Sequence, residues 1–531
     1  MARRLVTIIA IAMLGACSGV APFSRPPANA PVGKFEGVLT WHNDLARTGQ
    51  NRDETVLTPA NVHAGSFGKR FARPVDGMIY AQPLYVPRVN VAGIGMVDVV
   101  IVATEHDSVY AFDAGGKRTQ PLWRSSFIDP QRGITTVPCI NKRQPECDPT
   151  ILAPEHGITG TPVIDPSTQT VFVYAKTLDR GKYLWHLHAL DIRTGAERAN
   201  SPVAIEGSAP GYPGVRFDPE RGFGRSALAL SRGTIYVAFA SNDDARGWIL
   251  GYDASTLARS FALCIAPTKD LGGIWMSGAA PAADDAGNLY ATTGNGGFDA
   301  DRGGPDYGMS LLRMTHGLSV TDYFAPFNEH VESGHDLDFA STGVMLLPET
   351  GGPHPHEAVS ADKRGWIFVV DREHLGGFHR YRNDIVQQLD GNLGGGQMYG
   401  NPAYFDGAVY YAPPGDPLRR YAVRHGLLSQ RPVSQSRDAF NYPGATPAIS
   451  SNADADGIVW TVAVSGRVRG GPPARLRAYD ARNVSTELYD SGRAGRRDQA
   501  APGTKFSVPS IANGMVFFGT QTELEAYGLR R

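Results

Sequence analysis

The segment VYAFDAGG (109–116) recurs along the chain in recognisable variants, and this recurrence decides the fold. Each clear copy is a short β-rich segment that ends in an aromatic or apolar residue followed by Asp and then a turn. The copies lie about 48 to 78 residues apart, a spacing typical of a repeat architecture rather than of separate domains. The clear copies are LHALDIRTG (187–195), ILGYDASTL (249–257), IFVVDREHLG (367–376) and LRAYDARN (476–483), and the weaker ones, which lack the Asp, are SLLRMTHG (310–317), LRRYAVRHG (418–426) and LEAYGLRR (524–531).

Further strand-like runs precede each copy, such as TGTPVID and TVFVYAKT in the second unit. Enrichment in Val, Ile, Tyr and Phe, with Gly, Asn and Asp between the runs, predicts antiparallel sheets of three or four strands. One such sheet cannot bury both faces alone, so the sheets must stack around a ring. We therefore predict an all-β, eight-bladed β-propeller, with seven blades as the alternative count. The orphan strand KRFARPV (69–75) is expected to complete the last blade and remove an exposed edge.

The N-terminus has the features of an export signal. Two arginines precede an apolar run that is too short to span a bilayer, and the run ends in Leu-Gly-Ala-Cys at Cys17. This ending resembles the lipobox of bacterial lipoproteins, which implies lipidation of Cys17 and a tether to the periplasmic side of the outer membrane. An ordinary secretory signal is the alternative. We assign 1–16 to the signal peptide, 17–40 to a Pro/Ala/Gly-rich tether and 41–531 to one propeller domain.

Charge and cysteine usage narrow the possible partners. The net charge is −1 over 531 residues, so no electrostatic footprint for nucleic acid is visible, and partners should be small molecules or proteins. In an oxidising, exported setting, Cys139 and Cys147 predict a disulfide that staples a loop. Cys264 lies in an apolar strand and predicts a buried free thiol. The sequence has no Cys-x-x-Cys-His motif, which excludes covalent c-type haem.

Polar residues that could hold a ligand are concentrated in 272–314. Trp275 comes first, and a strand then ends in Gly294-Asn295-Gly296. Glycines let the backbone approach a ligand closely, and the Asn carbonyl is a hard oxygen donor. The alternative is a plain β-hairpin with a glycine-rich turn.

The Tyr/Leu-Asp-x-x-Thr-Gly repeat, the opening WHNDLARTGQNRDETVLTPANV (41–62) and 272–312 together resemble the quinoprotein alcohol dehydrogenase superfamily. The resemblance covers nearly all of 40–531, and the whole chain looks like a group of exported bacterial PQQ-like propellers. It implies eight blades carrying pyrroloquinoline quinone (PQQ) over a Ca²⁺ ion at the axis, with an alcohol or a sugar as the substrate.

The resemblance also assigns roles to single residues. Asn295 matches the Asn that ligates calcium, and Trp275 falls close to the Trp that stacks beneath the quinone. Asp336 matches the catalytic base and adds a metal-binding carboxylate, and Lys363 matches the cation that touches the quinone oxygens. Asp243 stands where the superfamily has a calcium-ligating Glu, with a shorter reach.

The chain departs from that pattern in several places. The alcohol dehydrogenases cap the quinone with a vicinal disulfide, but the matching position, near 151–152, has no cysteines. Arg364 follows Lys363 where the superfamily has Asn. Simpler interpretations also exist: Asp336 and Asp338 as turn-capping residues, Trp275 as core, and Lys363 as a solvated hairpin residue.

Two functions from different classes therefore remain open. The first is a PQQ- and Ca²⁺-dependent oxidoreductase that oxidises an alcohol or sugar and passes electrons to a separate acceptor. The second is a non-catalytic propeller at the cell envelope, serving as a scaffold that binds an envelope protein or a ligand.

Overall fold

The computed structural model describes residues 37–139, 154–241, 245–391, 393–394, 397–465 and 470–530. Successive four-stranded sheets follow one another along the chain, and the fold is an eight-bladed β-propeller, as the repeat predicts. The alternative count of seven blades is excluded. No helix in the described ranges combines the length and the apolar character needed to cross a bilayer.

Blades 1 to 4 are antiparallel meanders in which the first strand is innermost. Blade 1 consists of Leu84–Val91, Gly95–Ala103, Ser108–Asp113 and Trp123–Ser126; blade 2 of Val163–Asp165, Thr170–Asp179, Lys182–Asp191 and Val203–Ala204; blade 3 of Ala229–Ser231, Thr234–Ser241, Trp248–Asp253 and Arg259–Cys264; blade 4 of Ala282–Ala283, Leu289–Thr292, Leu311–Met314 and Val320–Phe324. Additional short strands are Ile134–Pro138, Glu155–His156, Ser208–Ala209, Tyr212–Arg216 and Gly222–Phe223.

Blades 5 to 8 continue the ring in the same way. Blade 5 consists of Met345–Leu346, Glu357–Ala361, Ile367–Asp371 and Gln387–Leu389; blade 6 of Ala403–Phe405, Ala408–Tyr411, Pro417–Arg424 and Ser434–Ala439, with Leu427–Leu428 beside it; blade 7 of Ala448–Asn452, Ala455–Ala463, Arg475–Asp480 and Glu487–Asp490; blade 8 of Ser510–Ala512, Met515–Gly519, Glu523–Leu529 and Phe67–Pro74. The described helices are the α-helix α1 (Glu329–Gly334) and the 3-10 turns Pro130–Arg132, Met276–Gly278, Ala300–Arg302, Phe339–Ser341 and Gly495–Asp498.

The recurring Asp of the sequence repeat ends the third strand of five blades and caps the turn that follows. In each case a carboxylate oxygen accepts a hydrogen bond from the main-chain N–H two residues later, at 2.8–3.0 Å. This is the Asx-turn that makes Asp favourable where a strand must reverse. The five residues are Asp113, Asp191, Asp253, Asp371 and Asp480.

The two ends of the chain meet in blade 8. Phe67–Pro74 pairs antiparallel with Glu523–Leu529, so the outermost strand of the last blade comes from the N-terminal part of the chain. Adjacent blades bury their apolar faces against each other, and the buried Cys264 is a free thiol that belongs to the core between blades 2 and 3. Burial raises the pKa of Cys264 to about 12, so it stays a neutral thiol.

A segment that we call the strap (residues 38–51) runs along the inner strands and contacts them in blade order. Its buried Trp41 packs with Ala229 and Tyr236 of blade 3. The strap reaches the other seven blades by hydrogen bonds. Val38 pairs with Tyr85 of blade 1, and the Asn51 side-chain amide donates to the carbonyl of Ile511 of blade 8. Main-chain carbonyls of the strap accept from main-chain N–H groups of the remaining five: Leu39 from Ile164 (blade 2), Leu45 from Ala283 (blade 4), Ala46 from Leu346 (blade 5), Thr48 from Tyr404 (blade 6) and Gly49 from Ile449 (blade 7). The predicted boundary between tether and domain, at residue 40, thus falls within the strap.

Arg47 anchors the strap. Its buried guanidinium donates to the carbonyl of Pro281 (Nη2, 2.7 Å; Nε, 3.1 Å) and, within the strap, to Thr40 Oγ1 and the carbonyls of Trp41 and Asp44. Polar groups buried in a protein interior need such partners, and here one side chain satisfies several carbonyls together. The strap therefore contacts all eight blades and is tied to blade 4 through the buried Arg47.

Candidate functional site on the loop face

The predicted site residues lie in connections that open on one side of the ring. Because successive strands of a blade run in opposite directions, the connection between the second and third strands opens on the same face as the connection into the next blade. Asn295 and Lys363 belong to the first kind, in blades 4 and 5; Trp275, Asp336 and Asp338 belong to the second kind. We call this side the loop face.

Four of these residues form one hydrogen-bonded cluster. Asn295 donates from its main chain to Asp338 Oδ1 and from its side chain to Asp336 Oδ1, both at 3.0 Å. Lys363 Nζ lies 2.8 Å from Asp336 Oδ2 and 3.5 Å from Asp338 Oδ2. The main-chain N–H of Lys363 also donates to the carbonyl of Asp338 at 3.1 Å, so two loops from neighbouring blades are joined here.

The two carboxylates of the cluster differ in environment. The Asp336 side chain is 75% exposed, whereas those of Asp338 and Lys363 are each 13% exposed. Burial raises the pKa of Asp338, while its hydrogen bond from Asn295 and the nearby Lys363 act in the opposite direction. Asp336 has a left-handed backbone (φ 58°), which turns the chain sharply at this point. One carboxylate is therefore fixed inside the cluster, and the other faces solvent.

Gly294 lets the cluster come together. A Cβ atom on this glycine would lie 2.5 Å from Asp338 Oδ1 and 3.1 Å from Trp275 Cδ1. Any side chain would push the carboxylate or the indole away, because real Cβ atoms do not approach other atoms that closely. The glycine-rich turn thus serves close packing of polar groups around its backbone.

Trp275 is half-buried beside the cluster. It packs against a small apolar group of buried residues that includes Met78, Tyr80, Cys139 and Phe223. Its ring centroid lies 5.8 Å from that of Phe223, with the planes tilted by 32°. Trp275 is therefore a partly exposed aromatic surface at the mouth of the ring rather than a fully buried core residue.

Aromatic and cationic side chains continue from Trp275 around the ring, and sequence reasoning missed them. Arg225 lies over the rings of Phe223 (5.3 Å) and Phe506 (5.0 Å), and Lys505 lies over the rings of Phe506 (5.4 Å) and Tyr442 (5.9 Å). Tyr399 then contacts Tyr442, with centroids 5.4 Å apart. We call this set the girdle: Phe223, Arg225, Trp275, Tyr399, Tyr442, Lys505 and Phe506.

A signal for the girdle does exist in the sequence, because every member lies in the connection that leads into the first strand of its blade. Aligning the repeats at that strand, and reading the aromatic and cationic residues just before it, would have found them. Aligning at the Asp of the third strand does not, since the intervening loops differ in length.

Three predicted residues fall outside the described ranges: Cys17, Cys147 and Asp243. The proposed lipidation, the Cys139–Cys147 disulfide and the metal-binding role of Asp243 therefore stay predictions. Cys139 itself is buried in the apolar group next to Trp275.

The side chains of Asn295, Asp336 and Asp338 are of the kind that binds a hard cation. Asn295 Oδ1 is buried and has no hydrogen-bond partner among the described residues, although buried polar atoms are normally satisfied. It lies in a cluster with the carboxylates of Asp336 and Asp338, and amide and carboxylate oxygens are the ligands that Ca²⁺ and similar hard ions prefer. These three side chains could therefore hold a metal ion.

A second group of carboxylates lies on the outer strands of blades 6 and 7, and its charge is already balanced. Asp438, Glu487 and Asp490 are close enough together for a metal ion. Arg493 pairs with all three, and Arg475 pairs with Asp490. Among the described residues, the loop face thus holds the more suitable oxygen donors.

Comparisons with solved structures show the same fold. The chain is similar to a quinohemoprotein alcohol dehydrogenase from Pseudomonas putida HK5 (TM-score 0.59, 14% identity, covering 93% of this chain and 80% of the other) and to one from Comamonas testosteroni (TM-score 0.57, 14% identity, the same coverage). It is equally similar to a europium-containing methanol dehydrogenase (TM-score 0.58, 14% identity, covering 93% and 98%). No protein-family model matches the sequence, and no curated protein does either.

Proposed function

We propose that this protein is a quinoprotein oxidoreductase that binds PQQ and a metal ion on the loop face and oxidises an alcohol or a sugar. The observation that carries the proposal is the convergence of Asn295, Asp336, Asp338 and Lys363 on one cluster beside Trp275. This convergence occurs on the fold that the chain shares with alcohol and methanol dehydrogenases.

The girdle supports the cofactor half of the proposal. PQQ is a planar anion, and such a molecule is held best by aromatic faces and by cations placed around its edge. The mouth of the ring offers both, with Trp275 next to Phe223 and with Arg225 and Lys505 above neighbouring rings. When bound, PQQ would supply the two-electron acceptor that the protein's own side chains lack.

The residues of the cluster have distinct roles in this proposal. Asp336, the exposed carboxylate, accepts the proton of the substrate hydroxyl. Lys363 holds Asp336 in place and offers positive charge where negative charge develops during the reaction. Asn295 Oδ1 and Asp338 are the buried oxygen donors for the metal ion. The metal is Ca²⁺ by resemblance, and a trivalent ion such as the europium of the similar dehydrogenase would suit the same donors.

The test is uptake of PQQ by the purified chain. Protein lacking residues 1–17 is mixed with micromolar PQQ and with Ca²⁺ or Eu³⁺, and bound quinone is measured by absorbance after gel filtration. Dye reduction is then assayed over a panel of alcohols and sugars. We expect stoichiometric uptake that depends on the metal, followed by turnover with at least one substrate class. Absence of uptake with either metal would overturn the oxidoreductase proposal.

Asp336→Asn tests the assignment of the base. Asn tolerates the left-handed backbone at this position and cannot accept the proton, so uptake should persist and turnover should fall by at least about a hundredfold. Asp456→Asn is the matched control, because Asp456 is also exposed and left-handed (φ 55°) but lies in a hairpin of blade 7. Equal turnover in wild type and Asp336→Asn would show that the base is another residue.

One observation favours the alternative, a non-catalytic scaffold that binds a ligand or an envelope protein. Lys363 Nζ already lies between the carboxylates of Asp336 and Asp338, where it balances part of the charge that a metal ion would balance. If the protein is a scaffold, the purified chain should take up no PQQ. Lys363→Met should then leave the binding of the scaffold's own partner unchanged, because Lys363 is already engaged by Asp336 and Asp338.

We also propose that the protein is held at the periplasmic side of the outer membrane through lipid on Cys17. The support is the lipobox-like end of the apolar run at residues 14–17. Metabolic labelling with a palmitate analogue, followed by membrane fractionation, should label the full chain and leave Cys17→Ala unlabelled. Equal labelling of both would contradict the anchor.

A further inference from the structure

Arg364, next to Lys363, joins the two loops that build the cluster. Its guanidinium lies 2.7 Å (Nη2) and 2.9 Å (Nε) from Asp362 Oδ2, at the start of its own turn. The same guanidinium pairs with Glu332 in α1, on the connection from blade 4. Its Cζ also lies 3.6 Å from the ring centroid of Trp366, which fixes the plane of the guanidinium. Arg364 thus makes three contacts with geometry that only a forked, planar cation can satisfy.

Both carboxylates that Arg364 contacts are buried. The Glu332 side chain is 1% exposed and that of Asp362 is fully buried, whereas Arg364 is 19% exposed. Burial raises the pKa of both carboxylates, that of Glu332 to about 8, and the nearby Arg364 acts in the opposite direction. Buried carboxylates without a cation are strongly unfavourable, so the position of Arg364 determines where α1 and the turn of Lys363 can lie.

The Arg364–Glu332 contact lies one hydrogen bond away from the residues of the cluster. The carbonyl of Glu332 accepts from the main chain of Leu337 at 3.0 Å, so α1 fixes the short stretch that holds Asp336 and Asp338. On the other side, Arg364 follows Lys363 in a turn whose Asp362 accepts from the Trp366 main chain at 3.0 Å. The distances from Lys363 Nζ to the two carboxylates therefore depend on how α1 is held against this turn.

We propose that Arg364 is a positioning residue of the loop-face site: by pairing with Glu332 and Asp362, it holds Lys363 against Asp336 and Asp338. The consequence for cofactor binding rests on the proposed function, whereas the effect on Lys363 does not.

The test measures Lys363 itself, in protein without added ligand. Acetylation by a water-soluble succinimidyl ester is followed by mass spectrometry at one fixed pH, with the exposed Lys117 and the buried Lys505 as internal references. In wild type, Lys363 should react slowly because its ammonium is paired and mostly buried. Arg364→Asn should raise its rate by about tenfold, because the ammonium is no longer held against Asp336 and Asp338, and leave the reference lysines unchanged.

Two further variants separate positioning from general stability. Arg364→Lys keeps the charge but loses the fork, so the rate at Lys363 should fall between wild type and Arg364→Asn. Arg419→Asn is the matched control, since Arg419 is also 19% exposed and pairs with an aspartate, Asp416, in blade 6. It should leave the Lys363 rate unchanged. If Arg364→Asn fails to fold, the comparison of Arg364→Lys with Arg419→Lys decides.

The outcomes are distinguishable from those of the proposed function. An unchanged Lys363 rate in folded Arg364→Asn, or an equal rise at Lys505 and Lys117, would overturn the positioning role. A selective rise at Lys363 supports it even if wild type takes up no PQQ, in which case the oxidoreductase proposal fails alone. If wild type does take up PQQ, Arg364→Asn should weaken that uptake in parallel with the rise in Lys363 reactivity.

Discussion

The strap and the loop face are both built from loops at the centre of the same ring, but they differ in how far their polar groups are hydrogen-bonded. In the strap, the carbonyls meet main-chain N–H groups blade after blade, and Arg47 donates to several carbonyls at once. On the loop face, an Asn oxygen lacks a partner among the described residues, a carboxylate points to solvent, and cations lie over aromatic rings. Extensive hydrogen bonding is typical of a structural segment, whereas a buried oxygen without a partner next to carboxylates is the arrangement that a bound ion would complete. The two regions should therefore respond oppositely to mutation.

Arg47→Ala should have the largest effect on stability. The substitution leaves the buried carbonyls of Pro281 and Trp41 without a donor and removes charge-assisted hydrogen bonds. We expect it to lower the free energy of unfolding by about 4 kcal/mol. Urea denaturation monitored by tryptophan fluorescence measures the loss. Arg52→Ala is the control, since the exposed Arg52–Asp454 pair should contribute less than about 1 kcal/mol. Similar losses in both variants would mean that the strap does not hold the blades together.

Gly294→Ala should damage the loop face more than the fold. The new methyl group meets Asp338 Oδ1 and Trp275, and relief of this crowding costs about 1–3 kcal/mol while displacing the cluster. PQQ uptake should fall at least about tenfold, which corresponds to only 1.4 kcal/mol of binding. Gly214→Ala, where no atom lies within 4 Å of the added methyl, should change neither quantity. Normal uptake by Gly294→Ala would separate the cluster from the binding site.

His156, fully buried against Phe223 of the girdle, should make stability depend on pH. Burial and the nearby Lys176 hold its pKa well below the usual 6.5, while its ring stacks on Phe223 at 4.5 Å. The unfolded chain takes up this proton near pH 6.5 and the folded chain does not, so the free energy of unfolding falls as pH drops below that value. His156→Phe keeps the stacking and should reduce the loss between pH 7.5 and 5 by about 1–2 kcal/mol. An identical pH profile in both proteins would show that His156 is protonated in the folded state.

Lys363→Met should have the smallest effect on stability. Its closer partner Asp336 is largely exposed, and pairs of this kind contribute less than about 1 kcal/mol to folding. The buried Asp338, 3.5 Å from the Lys363 ammonium, keeps its hydrogen bond from the Asn295 main chain in the variant. PQQ uptake should nevertheless fall measurably, because the cation next to Asp336 is lost. A large loss of stability with unchanged uptake would place Lys363 with the structural residues instead.

The difference between the two regions also explains what the sequence could and could not predict. Eight blades follow from the spacing of eight repeat copies, five of which carry an Asp that caps the turn after the third strand. The strap was not predicted, because residues 38–51 show no strand period and most of their contacts with the blades are made by the main chain. A sequence pattern reports side chains, and it carries little information about carbonyls that meet in order around a ring.

At the site, the sequence predicted residues but not their mutual contacts. Asn295, Asp336 and Lys363 were found by resemblance to a motif, whereas the pairing of Lys363 with Asp338 depends on how two blades meet. Arg225 and Phe506 come from opposite halves of the chain, so no local spacing connects them. Contacts made by ring closure are the part that sequence reasoning misses.

The most direct test of the central claim, that the loop face binds a ligand whereas the strap holds the blades together, is PQQ uptake by Asn295→Ala beside wild type. Both proteins are titrated at micromolar PQQ with Ca²⁺ or Eu³⁺, and their urea denaturation curves are recorded in parallel. We predict metal-dependent uptake by wild type, loss of uptake by Asn295→Ala and nearly coincident unfolding curves. No uptake by wild type, or equal uptake by both proteins, would contradict the account.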